Sequence, residues 1–221
     1  DITTFTERFG FPLTDAQSRA IQTIVADMRE ARPMSRLLEG DVGSGKTAVA
    51  ATISYAAIAA RRKDALHEFT QVAYMAPTEV LARQLYLSFI EYFKHLPIRI
   101  GLLTGSAVEK FPSKSNPSTA THVSKNQMLS WIKSGDIQIV IGTHALIQKS
   151  VDFKNLILTI IDEQHRFGTR QRHALVKKHI APHLLSMTAT PIPRTLALTI
   201  YGDLDLTLLD SMPPGRKPIQ T

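Results

Sequence analysis

Short, mostly apolar runs recur along the chain, separated by longer stretches in which apolar positions return every three or four residues. The runs at 36–39, 72–76, 98–103, 137–141, 156–161 and 184–187 have the length and apolar content of strands, and 156–161 is almost wholly apolar, as a strand buried on both faces should be. Between them, 47–62 is rich in alanine, and 79–93 carries Val80, Leu81, Leu85, Phe89 and Phe93 at helical spacing. Both stretches predict helices packed on a sheet. A further helix is predicted over 14–32, with Thr14 as its cap and Ile21, Ile24, Val25 and Met28 as its apolar stripe. Strands alternating with helices predict right-handed βαβ units around a mainly parallel sheet.

Segment 107–127, rich in Ser, Thr, Lys and Pro, has no period and predicts a surface loop before a short helix through Trp131. Pro213-Pro-Gly-Arg-Lys-Pro218 cannot continue a helix or an interior strand, so 1–208 reads as one domain and 209–221 as the start of a linker. The start at Asp1, without Met or a basic-then-apolar leader, predicts no secretory or transit segment and a chain excised from something longer.

Composition narrows the possibilities modestly. A hydrophobic share of 43% with 20% charged residues suits a globular protein, and no apolar run approaches the ~20 residues of a membrane span. Zero cysteines exclude disulfides and thiolate metal sites and fit a reducing compartment. The net charge of +7 suits a polyanionic partner, although a basic solvated surface gives the same count.

The chemistry is concentrated in two strand-end motifs. Gly40-Asp-Val42-Gly43-Ser44-Gly45-Lys46-Thr47 satisfies the full G-x-x-x-x-G-K-[ST] pattern between a predicted strand and an alanine-rich helix. Its glycines permit backbone angles that turn the N–H groups from Val42 to Thr47 into one anion nest, which with the helix N-terminus holds a β-phosphate. Lys46 is then placed to reach the β/γ-phosphates, and the Thr47 hydroxyl to ligate Mg²⁺. Strand 156–161 delivers Asp162-Glu163-Gln164-His165 at its C-terminal end, the edge where open parallel sheets bind ligands. Asp162 would hold Mg²⁺ through its water shell, and Glu163 would orient and deprotonate the attacking water. His165 has the options of surface residue, relay or metal ligand; no second His stands at ligand spacing, which disfavours the last.

In this order the Gly-rich loop, the DEQH box and Ser186-Met-Thr188-Ala189-Thr190-Pro resemble motifs I, II and III of the superfamily 2 helicases. The resemblance extends to Thr14–Gln17 as a Gln motif, in which the Gln17 amide would read adenine by donating and accepting at once. It also extends to Ala76-Pro-Thr78-Glu-Val-Leu-Ala-Arg83-Gln (motif Ia), Thr104-Gly105-Ser106 (Ib) and Gly142-Thr143-His144-Ala-Leu (Ic). It implies a three-layer α/β fold of the RecA-like P-loop type and an ATP hydrolase using ATP and Mg²⁺. By the same resemblance, Thr78, Arg83, Thr104, Gly105, Thr143 and His144 line the DNA track, and His165, Thr188, Ala189 and Thr190 couple hydrolysis to movement. A structural role for Thr188 and Thr190, satisfying backbone groups at a strand end, is the alternative.

More narrowly, Asp162-Glu-Gln-His-Arg-Phe-Gly168, 191–205 and 213–218 resemble the RecG-type branched-DNA translocases over most of residues 10–221. That implies a motor for stalled forks and Holliday junctions, located in the bacterial cytoplasm with the nucleoid. It also implies a wedge domain and a second RecA-like domain as partners within a longer chain, so that 1–221 alone would be weakly active or inactive. Such chains usually pass from the TGS turn to the next helix through a short charged segment, whereas 107–127 here is longer and rich in Ser and Pro. Mfd-like and PriA-like translocases, or another P-loop NTPase, are the alternatives. A GTPase lacks support because Ser124-Lys-Asn-Gln127 has no Asp to complete a base-reading tetrad, and a kinase because DExH and TAT strand ends are foreign to it. A non-hydrolysing ATP clamp would have no need of Glu163.

Overall fold

The computed structural model describes residues 1–60, 70–162, 182–190 and 204–211. Among these, five helices, α1 (Ile2–Thr6), α2 (Asp15–Asp27), α3 (Lys46–Ala59), α4 (Glu79–Phe93) and α5 (Lys125–Ser134), alternate with nine strands. The strands are β1 (Ser35–Gly40), β2 (Gln71–Met75), β3 (Ile100–Leu103), β4 (Val108–Phe111), β5 (Thr121–His122), β6 (Ile139–Gly142), β7 (Leu156–Asp162), β8 (His183–Thr188) and β9 (Asp205–Leu209). They form one sheet in the order β5-β4-β3-β6-β2-β7-β8-β1-β9. Every described pairing is parallel except β3 with β4 and β4 with β5.

The central strands are buried on both faces, which is why they read as continuous apolar runs. On one face Leu38, Tyr74, Ile141, Ile160 and Met187 pack under α3 and α4 in the larger core; on the other, Ala73, Met75, Val140 and Ile161 meet Met128 and Ile132 of α5. Helix α3 is buried almost all round, and its small Ala48, Ala50, Ala51 and Ala57 let it sit close to the sheet while α1 and α2 cover it. Two of its buried hydroxyls, Thr52 and Ser54, donate to the carbonyls one turn back, at 2.8 Å each, so neither is left unpaired.

The structure departs from the sequence expectation in several places. Segment 107–127 is not a loop: it holds β4 and β5, an antiparallel extension of the sheet edge, and the start of α5. Strand β9 and helix α1 were not predicted, and α2 stops at Asp27 rather than Arg32. Helix α3 ends at Ala59, and 61–62 lie outside the described residues, as do 163–165 of the DEQH box and the linker residues from 212 onward. No helix among the described residues is long and apolar enough to cross a membrane.

Candidate nucleotide and nucleic-acid site

The sheet order explains how motifs scattered through the chain come together. Strands β3, β6, β2, β7, β8 and β1 lie side by side and run the same way, so the residues after each emerge at one edge. In register, Leu103 pairs Gly142 and Gly142 pairs Met75; further along, Asp162 pairs Met187 and Met187 pairs Leu38. With strands ~4.8 Å apart, Asp162 lies two strand spacings, roughly 10 Å, from the strand that feeds the phosphate loop. The turns after β3, β6 and β2 span a similar distance on the other side of β7.

In the phosphate loop, Gly43 and Gly45 adopt φ of 85° and 84°, angles that a side chain would strain, and Gly45 caps α3. Ser44 N–H donates to Asp41 O at 3.0 Å, and the Ser44 hydroxyl is buried with no hydrogen-bond partner. A Cβ on Gly40 would fall 2.6 Å from that hydroxyl and 2.8 Å from Leu209 Cβ, so the strand must end in glycine here. Lys46 Nζ folds over the loop and donates to Gly40 O at 2.5 Å and Asp41 O at 2.9 Å. Thr47 sits in the first turn of α3, partly exposed beside it. A cleft of ≈ 240 Å³ adjoins the loop, lined by Gly40, Asp41 and Ser44 together with Ala189 and the end of β9. The structure thus places Ala189 beside the phosphate loop. Thr188 is buried, its hydroxyl 3.0 Å from that of Thr190 and accepting from Thr190 N–H at 3.2 Å.

Asp162 is partly buried at the end of β7, on the α3 face. Tyr74 lies beneath it on β2, fully buried; burial and then the Asp162 charge push the phenol well above its ordinary pKa, so it stays neutral. Glu163 and His165 lie outside the described residues.

Gln17, expected to read adenine, is bonded within the protein in this structure. It is buried, with Oε1 accepting Thr14 N–H at 2.9 Å and Nε2 donating to Ser44 O at 2.8 Å. Thr14 Oγ1 accepts in return from Gln17 N–H, which completes a capping box. Both functions of the amide are therefore engaged within the protein, and a Cβ on Gly45 would overlap the amide. Gln17 ties the start of α2 to the phosphate loop; the helical spacing alone gave no sign of this tie. A cleft of ≈ 590 Å³ opens beside it and is lined by Phe11, Pro12, Leu13, Ser18 and Gln22.

The three turns on the other half of the edge are polar and mostly exposed. Thr78 caps α4, accepting Leu81 N–H at 3.2 Å, and is itself exposed. Gly105 and His144 are exposed and Thr143 partly so. Thr104, expected to face DNA, is 4% exposed, and its hydroxyl closes the turn on Ala107 N–H at 2.9 Å, so its place is inside the turn. Arg83 points to β4, with Nη1 2.6 Å from Glu109 Oε1. Ser106, named in the sequence motif without a role, donates from its N–H to Glu79 Oε1 at 3.2 Å and from its hydroxyl to Oε2.

A family model for the DEAD/DEAH box helicases matches residues 14–199. The chain belongs to the DEAD/DEAH box helicase family. Among curated helicases it is 49% identical to the ATP-dependent DNA helicase RecG of Aquifex aeolicus over 97% of its length, and 46% identical to that of Bacillus subtilis over 98%. It spans 25% and 29% of those two proteins. A solved structure of RecG bound to a three-way DNA junction superposes with a TM-score of 0.71 at 43% identity, covering 95% of this helicase chain and 25% of the other. A DEAD box protein from Methanococcus jannaschii, 19% identical with a TM-score of 0.57, shares the fold over 89% of this chain and 50% of its own. The fold is accordingly the three-layer RecA-like domain that the sequence predicts.

Proposed function

We propose that the chain is the ATP-binding half of a DNA helicase motor that remodels branched DNA, such as stalled forks and Holliday junctions, by coupling ATP hydrolysis to movement along the duplex. The observation that supports this reading best is the single sheet edge, on which three polar turns, a carboxylate and a phosphate loop follow one another across adjacent parallel strands. A hydrolase that has only to bind nucleotide needs the last two. The identity of 43% to a RecG solved on a three-way junction supports branched DNA over linear duplex as the substrate.

The loop fits a triphosphate: two left-handed glycines, a glycine that leaves room for nothing larger, and a buried hydroxyl awaiting a partner. Val42, Gly43, Ser44, Gly45 and Thr47 would supply N–H groups. Lys46 would exchange the Gly40 and Asp41 carbonyls for phosphate oxygens. Thr47 and Asp162 would hold Mg²⁺, which neutralises charge between the phosphates. Glu163 would take the proton from water, and Thr188 to Thr190, one strand from Asp162, would pass the state of that site along the edge. Phosphate contacts through Thr78, Gly105, Thr143 and His144 carry no sequence information, as a tracking motor requires. In this reading the wedge and the second RecA-like domain belong to the remainder of a longer chain.

The test is remodelling of forked and three-way-junction DNA by the full-length protein with Mg·ATP. Branched DNA should be converted and linear duplex should stimulate ATP turnover less, with both activities lost in Lys46→Ala. Equal stimulation by linear duplex would favour a related duplex translocase of the Mfd type, and turnover indifferent to DNA would overturn the reading.

A further inference from the structure

The β4–β5 hairpin is a part of the sheet that the sequence hid, and two polar contacts pin it and the turn leading into it to α4. Glu79, in the first turn of α4, accepts from the Ser106 N–H and hydroxyl, and these bonds hold its carboxyl below the usual range. One helical turn later, on the same side of the helix, Arg83 Nη1 meets Glu109 Oε1 at 2.6 Å. The Glu109 side chain is 6% exposed while that of Arg83 is 50% exposed, so the carboxylate is the buried member, with His122 Nδ1 of β5 3.7 Å away. Alternation along β4 explains the burial: Glu109 and Phe111 face α4, whereas Lys110 faces the other way and lies 5.5 Å over the Trp131 ring of α5. Behind the pair, the buried Tyr86 hydroxyl has no hydrogen-bond partner, so Arg83 is the close partner of the Glu109 charge from α4.

We propose that Arg83 and Glu109 are positioning residues. Together with Glu79 and Ser106 they clasp the hairpin to α4, so that the turn at 104–106 and the N-terminus of α4 present one rigid surface to the DNA backbone. The proposal rests on the reading that this edge carries DNA. On this account Arg83 acts through Glu109, and the hairpin sets the geometry of the track without itself reading DNA. The physical reason is preorganisation. Backbone N–H groups grip a phosphate well only if the turn that carries them is already fixed, because any ordering on binding subtracts from affinity.

The two possible roles of Arg83 predict opposite signs for one conservative change. Glu109→Gln keeps size and shape but removes the charge that holds Arg83. If Arg83 were a phosphate contact, this variant would free the guanidinium and bind DNA as tightly as wild type or more so. The clasp instead predicts a half-saturating DNA concentration for stimulated ATP turnover at least fivefold higher, with the maximal rate within twofold. It also predicts faster amide exchange in β4 and β5. In the full-length protein, the exchanged pair Arg83→Glu with Glu109→Arg should restore the DNA constant to within threefold of wild type, while Arg83→Glu alone should not. Unchanged or tighter DNA binding by Glu109→Gln, or no rescue by the exchanged pair, overturns the clasp. Thr143→Ala, assayed alongside, separates the two levels. A raised DNA constant there with no effect of Glu109→Gln removes the clasp and leaves the DNA edge standing; no effect of either removes both.

Discussion

Gln17→Ala is the substitution for which sequence and structure make different forecasts. A base-reading amide predicts a loss of preference for ATP over GTP, with GTP binding unharmed. The structure predicts a loss common to both nucleotides, because the side chain is 1% exposed and bonded to Thr14 N–H and to Ser44 O inside the protein. Truncation leaves those two backbone groups without their partner. A buried group so orphaned costs ~1–3 kcal/mol, and half of a capping box is lost as well, giving a total of about 2–4 kcal/mol. The part that falls on nucleotide affinity is the tie to Ser44, on the order of 1–1.5 kcal/mol, or about tenfold in Kd. Equilibrium titration of the full-length protein with fluorescent ATP and GTP analogues measures both affinities, and thermal unfolding measures the stability loss. The expected result is a rise of about tenfold in both constants, with their ratio within twofold of wild type. Glu at position 17 should do no better, since it keeps the acceptor for Thr14 N–H but sets a carboxylate against the Ser44 carbonyl. A tenfold loss for ATP with GTP unchanged would refute this reasoning and return Gln17 to the base.

Other substitutions probe the remaining parts. Lys46→Ala should raise the Kd for ATP at least ~10-fold, by loss of a charged hydrogen-bond donor, whereas Glu163→Gln should leave it within threefold and slow turnover by about 10²–10⁴, both read from ATP titration and phosphate release. Thr188→Ala with Thr190→Ala removes a hydroxyl pair that bonds to itself; ATP turnover without DNA should persist while strand movement per ATP falls, and lost ATP binding would mark the pair as structural. Arg36, with a side chain 10% exposed and paired to Asp27 at 2.5 Å, should cost about 3 kcal/mol of stability when changed to Ala, measured by denaturant unfolding. Burial holds the His183 ring below its ordinary pKa, and its Nδ1 accepts Met34 N–H at 2.9 Å. The unfolded chain therefore takes up a proton that the folded ring resists, so this contribution is complete above pH ~6.5 and lost as pH falls below it; thermal melts at pH 7.5 and 5.5 should differ less in His183→Asn.

The strands and helices that position the site were legible because burial on both faces leaves a plain mark: 72–76 is apolar throughout, 156–161 is apolar but for Thr159, and they correspond to β2 and β7. The phosphate loop was legible because glycine at fixed positions has a backbone reason. The β4–β5 hairpin was not, since two of its inward residues are Glu109 and Lys110, each balanced by a partner distant in sequence, Arg83 and Trp131. Polar residues facing inward erase the alternation by which a strand is recognised. The end of α2 was overrun because Met28, its C-cap, extends the apolar stripe past the last helical residue, Asp27. The roles of Gln17, Thr104 and Arg83 were obscured for a common reason. A polar side chain in a motif is equally suited to bind a ligand or to brace the loop that does, and only the partner atoms distinguish the two.

The measurement that bears most directly on the shared edge is steady-state ATP turnover of the full-length protein with and without a three-way DNA junction, in wild type and in Lys46→Ala. Coupling of the two halves of the edge predicts that the junction raises wild-type turnover at least tenfold, that rising salt erases the effect as phosphate contacts weaken, and that Lys46→Ala shows neither basal nor stimulated turnover. Turnover that is vigorous without DNA and unchanged by the junction, or stimulation that survives Lys46→Ala, would contradict it.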